Sequence, residues 1–304
     1  MKNILIAFAV LGVVALGAYY FKPTGAAPAA LPTEASIGEV LRNTSLDVSE
    51  FGAGTVTLVD GEASFVTDAT STTSPQGFAQ LSDKQAIIFK GENAEVFAIV
   101  NINGGGSGTF QFLVWFSYMG ASNTLIEKQR LGIGDRIAID SVAANQTAAT
   151  TFDILVSLKD RLPTEPMAAT PTQPRVLHFA YTDSGLAMRD VIFGTVSDPQ
   201  IVVASPLPGA DTPRSFTIAG AARGPWFFEA NLPIDIKNAT GTVILSVPAA
   251  AQGDWMTTEL VPFSATVKLP ADASAGLYAV VIKKDNPSGL PEHDGSIEFP
   301  IVVE

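Results

Sequence analysis

The sequence predicts a mainly β protein, with an N-terminal membrane anchor, a β-rich first domain and a C-terminal seven-stranded sandwich. Three observations predict it. Hydrophobic residues make up 47% of the 304 and charged residues only 16%, enough apolar side chain for a packed core and too little polarity for general disorder. Short apolar runs recur at sandwich-strand spacing, broken by glycine, proline and asparagine. One longer uncharged run, Ile4–Phe21, stands at the N-terminus.

That run follows Lys2 and reaches the lower length limit for crossing a bilayer. Tyr19, Tyr20, Phe21 and Lys22 close it like an interfacial belt, which favours an uncleaved signal anchor over residues 1–22. The alternative is a cleaved secretory signal using the small residues "ALGA" at 15–18. Both export the rest of the chain. The expected location is the cell membrane, single-pass, with the lipid bilayer contacted through residues 4–21 and the bulk extracytoplasmic. Residues 23–45 begin "PTGAAPAALPTEA", a Pro/Ala-rich linker unable to build a core, and continue into "IGEVLRN" (37–43), which has the pattern of one or two helical turns.

The first domain is assigned to residues 46–190. Its strand candidates are 54–61, 85–91, 95–102, 109–118, 135–144, 151–159 and 175–182. In "TFQFLVWFSY" both alternating sets are rich in apolar residues, which predicts a central strand covered on two sides. "NGGGSG" (103–108) precedes β-rich sequence rather than a helix, so a hairpin or a glycine-rich edge turn is expected there and not a phosphate loop. "LPTEPMAATPTQP" (162–174) reads as a loop lying over the surface.

The second domain is assigned to residues 199–304. Seven candidates follow: 200–206, 215–221, 231–237, 242–248, 261–269, 277–283 and 296–303. Phe263, Ala265, Val267 and Leu269 oppose Ser264, Thr266 and Lys268, and Ile297, Phe299, Ile301 and Val303 oppose Ser296 and Glu298. Such alternation turns one face to a core and leaves the other wet. The chain has no cysteine, so packing alone must hold the two sheets.

On "SPLPGA" (205–210), "ARGPWFFEA" (222–230), "AQGDWM" (251–256), "VPFSATV" (261–267) and "KKDNPSGLPEHDGSIEFPI" (283–301), the second domain resembles the immunoglobulin-like domain of bacterial spore germination. The resemblance implies an extracytoplasmic immunoglobulin-like fold without enzymatic activity. The first domain, on "VTLVDGEA" (56–63), "NGGGSGTF" (103–110), "LGIGDRIAI" (131–139) and "LPTEPMAATP" (162–171), resembles a domain of uncharacterised exported bacterial proteins. It lacks that domain's acidic Asp-x-Asn-Gly-Asp-Gly loop, which puts a calcium role there in doubt.

The chemistry-bearing residues are few. A formal net charge of −12, with no run of Lys or Arg, argues against nucleic acid. The absence of cysteine excludes thiolate nucleophiles and Cys-based zinc sites. His178 reads as an ordinary strand residue, and His293 as part of a turn with too few neighbouring ligands for a metal. No cofactor, metal or catalytic residue is expected. The candidate partner-binding residues are Arg223, Trp226, Phe227, Phe228, Glu229, Trp255, Lys284 and Asp285. Their three consecutive aromatics either plug the end of the sandwich or form an exposed platform. The leading functional expectation is a non-catalytic membrane-tethered protein mediating protein interaction or assembly at the bacterial envelope. The alternatives are a carbohydrate or peptidoglycan binder, with a cell-wall glycan as its partner, and a hydrolase with an unrecognised carboxylate site.

Overall fold

The computed structural model describes residues 31–67, 76–162 and 165–304, so the anchor assigned to residues 1–22 and the start of the linker, 23–30, lie outside the described residues. Among the described residues no helix is long and apolar enough to cross a membrane. Residues 34–304 form one compact unit.

The unit opens with helix α1 (Glu34–Arg42), where Ile37 and Leu41, four residues apart, fall on one face and are fully buried. Residues 34–45 therefore belong to the folded body, not to the spacer. The strands are β1 (Ser45–Asp47), β2 (Thr55–Thr57), β3 (Glu62–Val66), β4 (Gln76–Lys90), β5 (Asn93–Asn103), β6 (Phe110–Met119), β7 (Thr124–Asp135), β8 (Ala138–Gln146), β9 (Phe152–Asp160), β10 (Gln173–Thr182), β11 (Gly185–Gly194), β12 (Pro199–Ser205), β13 (Asp211–Thr212), β14 (Ser215–Arg223), β15 (Asn231–Asn238), β16 (Val243–Ala251), β17 (Leu260–Lys268), β18 (Gly276–Lys283) and β19 (Ser296–Val303).

A five-stranded antiparallel sheet runs β3-β4-β5-β6-β7. Both its faces are covered. Phe112, Val114, Phe116 and Tyr118 of β6 join Val96, Ala98 and Val100 of β5 in a core shared with α1, while Phe97, Ile99 and Leu113 enter the main core. The two-faced pattern of β6 is thus that of a middle layer. At the β5–β6 hairpin, Asn103 Nδ2 donates to the carbonyls of Gly106 and Gly108 and its Oδ1 accepts from Gly105 N, which fixes the glycine turn.

The second sheet has twelve strands, in the order β13-β19-β18-β15-β16-β17-β14-β12-β11-β10-β9-β8. It crosses the boundary assigned between the two domains: β11 pairs with β12 through Val191↔Val203, Ile192↔Val202 and Phe193↔Ile201. It also folds over on itself. β16 and β17 meet through Ala250↔Ser264 and Ala251↔Phe263 alone, a corner rather than a ladder. Phe193 of β11 and Phe299 of β19, seven strands apart in sheet order, stand 6.0 Å apart by ring centroids. The result in residues 199–304 is a two-layer sandwich whose core is continuous with that of the first half, from Ala86 to Val303. All seven strands expected there are present, with β13 added parallel to the end of β19. In the first half, β1, β3, β7, β11 and the first part of β4 were not expected from the sequence.

Candidate interaction surface

The segment 222–230 is neither a regular strand nor a floppy tip. β14 ends in a tight helical turn, Gly224–Trp226, closed by Phe227 N donating to Gly224 O. Its position is set from outside. Arg223 donates to Pro199 O at 2.8 Å, to Thr258 O at 2.9 Å and to Asp198 Oδ1 at 3.1 Å, pinning the β11–β12 turn and the 252–259 loop to the same point. Gly224 N donates to Glu259 O, and a Cβ at Gly224 would sit 1.8 Å from Thr257 O, so only glycine fits under that loop. Past the aromatics, Glu229 and Ala230 take φ of 49° and 61°, which turns the chain into β15.

The three aromatics go to three places. Trp226 is 8% exposed; its carbonyl accepts from Asp285 N, and Gly295 lies against its ring. Phe227, 4% exposed, packs under the 252–259 loop, while Phe228 is 39% exposed at the tip beside the exposed Glu229. The plug arrangement therefore describes Trp226 and Phe227, and Phe228 remains outside. Phe227 lines a shallow depression with Gly224, Pro225, Trp255, Met256, Thr257 and Thr258. Trp255 is half-buried against the core, and Met256 is 78% exposed.

Trp226 instead borders a groove on the other side, of about 220 Å³. Its floor carries Arg175 and Phe193, whose ring lies 5.0 Å beneath the guanidinium. Its wall is the start of β19, Ser296–Glu298. Arg175 donates to Asp160 Oδ2 at 2.8 Å while its Nε has no partner among the described residues, and burial lowers its pKa against the pull of Asp160. Lys284 lines a neighbouring hollow with Lys283, Asp294, Gly295 and Ser296. The eight residues singled out from the sequence thus surround one end of the sandwich but do not form one site. Arg223 is a structural clip, Trp226 belongs to the groove, and Phe227 and Trp255 share the depression.

Sheet register brings together one cluster that sequence reasoning missed. His178 of β10 lies between Asp190 of β11, 3.0 Å from Nδ1, and Asp153 of β9, 3.1 Å from Nε2 and misaligned for a hydrogen bond. Arg189 approaches Asp153 at 3.6 Å. No spacing rule joins residues 153, 178 and 190; only the β9-β10-β11 pairing does. His293 is exposed on its turn, with Nδ1 3.2 Å from Ser288 Oγ. Among the described residues no group of three or more His, Asp or Glu side chains is arranged to hold a metal ion.

No curated protein matches the chain. Residues 200–290, from β12 into the 284–295 loop, match the family model of the immunoglobulin-like domain of bacterial spore germination.

Proposed function

We propose that this chain is a non-catalytic, membrane-tethered extracytoplasmic protein that mediates protein interaction or assembly at the bacterial cell envelope. The observation that carries the reading is the apolar depression at the sandwich end. It is lined by Pro225 and Phe227 of the turn after β14 and by Trp255 and the strongly exposed Met256 of the 252–259 loop, and Arg223 and Gly224 tie that loop to the turn. A rigid aromatic and methionine surface gives contact area at little entropic cost, the property of an interface anchor. A sugar platform would instead need an open face on Trp226 or Trp255; Trp226 offers 8% of its surface, and Trp255 is half-buried against the core.

The half-buried acidic groups support a structural role. Glu95 accepts from Trp115 Nε1 and Ser117 Oγ, both at 2.7 Å, and pairs with Lys90. Asp235 accepts from Ser246 and pairs with Lys283. His178 Nδ1 is bonded to Asp190, and its Nε2 is buried against Asp153.

The test is a photo-crosslinking residue at Met256 in living cells, with cell fractionation of the same cultures. The expected outcome is a discrete adduct to an envelope protein, in the membrane fraction. Recovery of the protein in the soluble fraction would remove the tether. Co-sedimentation with peptidoglycan and no protein adduct would favour the glycan reading.

A further inference from the structure

β19 has two halves with different fates at its outer edge. Over the second half, this chain covers the edge itself: Gly209 N donates to Pro300 O at 2.7 Å, Val302 N to Ala210 O at 3.0 Å, and Glu304 N to Thr212 O at 3.1 Å. Residues 300, 302 and 304 therefore direct their main-chain groups outward. In a strand these groups alternate sides residue by residue, so Ser296 and Glu298 also direct theirs outward and Ile297 and Phe299 direct theirs to β18. Gly295 fits the alternation, since its carbonyl accepts from Lys284 N on the β18 side. Among the described residues no strand pairs with Ser296–Glu298 other than β18. This open half-edge is the wall of the groove over Arg175 and Phe193.

We propose that Ser296–Glu298 of β19 is a strand-addition site, which takes an extended segment of a partner protein as an added strand in the groove. The outward N–H and C=O groups of Ser296 and Glu298 offer four main-chain hydrogen bonds, the recognition chemistry of an extended peptide. Pro300 has no N–H and ends the free stretch, where the segment 209–212 takes over. Gln173 and Gln200 flank the groove with amide groups, and Phe193, Ile297 and Trp226 offer apolar surface to alternate side chains. Charge selects the partner. On the floor Arg175 is paired with Asp160 but keeps a buried Nε–H without a partner among the described residues, and the wall's Glu298 is held by Lys237. Beyond Ser296 stands Lys284, which forms no ion pair among the described residues while Lys283 is held by Asp235. The favoured occupant is an extended segment carrying an acidic residue. The site is distinct from the Met256 depression, and the proposal holds whether or not the chain is membrane-tethered.

The experiment pans a phage-displayed heptapeptide library against the purified full-length protein and follows selected peptides by amide hydrogen exchange and titration. Acidic peptides are expected to emerge and to slow exchange at the Glu298 and Ser296 amides. Glu298→Pro deletes an outward N–H without touching the ladder to β18, and should weaken binding at least about tenfold, the worth of roughly 1.4 kcal/mol of lost hydrogen bonding. Lys284→Glu should weaken it as well. If Glu298→Pro fails to fold, the exchange measurement on the unmodified protein still decides. No enrichment, or enriched peptides that protect no amide in 296–298, overturns the proposal.

Discussion

The two halves of the molecule bury their strands in different ways. In the second half strands such as β17 and β19 have one face in the core and one toward water; in β17 Val261, Phe263, Ala265 and Val267 are buried. In the first half β5 and β6 are a middle layer, with Phe97 and Phe116 on opposite faces and both fully buried. The difference teaches that strand count does not set the core. What sets it is how many layers a strand separates, and here a single core passes from the three-layer half into the sandwich by way of β11 and β12.

The comparison breaks most visibly at Phe97. Truncation to alanine in the middle layer should cost about 3–5 kcal/mol. Because the core is continuous, residues 34–304 should lose it in one unfolding transition, seen by circular dichroism and tryptophan fluorescence together. Two separate transitions, only one of them shifted by Phe97→Ala, would show that the halves fold independently. Trp226→Ala, at the sandwich end, should cost about 3 kcal/mol, measured by denaturant titration. A variant as stable as the parent would mean that the tryptophan closes nothing.

Smaller effects sharpen the contrast between inside and outside. Burial would raise the Asp235 pKa, but the bonds from Lys283 and Ser246 and the charge of Lys237 bring it below its usual 3.8. A depressed carboxylate pKa stabilises the fold above the unfolded value, and that contribution is lost as pH falls through the folded one. Asp235→Asn should therefore cost about 1 kcal/mol at pH 7, with the difference from the parent vanishing below the folded pKa. Equal gaps at pH 7 and at strongly acidic pH would exclude the linkage. Met256→Ala should change stability by less than about 0.5 kcal/mol, since its side chain is outside. A larger loss would make Met256 a core residue and remove the surface on which the interaction reading rests.

Period-2 alternation made the second half legible, because a strand with one wet face advertises its register. The same rule explains the misses. β7 mixes Lys128, Arg130 and two glycines at a sheet edge, and β11 carries Arg189 and Asp190 between apolar residues, so neither alternates cleanly. The clip made by Arg223 was equally hidden: its partners, Pro199, Asp198 and Thr258, are up to 35 residues away.

The sequence alone determined the β class, the seven strands of the sandwich, the glycine hairpin at 103–108 and the presence of aromatics at the sandwich end, because these rest on local periodicity and turn chemistry. Only the tertiary structure decided that one sheet spans both halves, that Trp226, Phe227 and Phe228 part company, and that His178 meets Asp153 and Asp190. It also decided which half of β19 stays open. Each of these depends on strand order and register between distant segments, and such pairing leaves no trace in the spacing of residues along the chain.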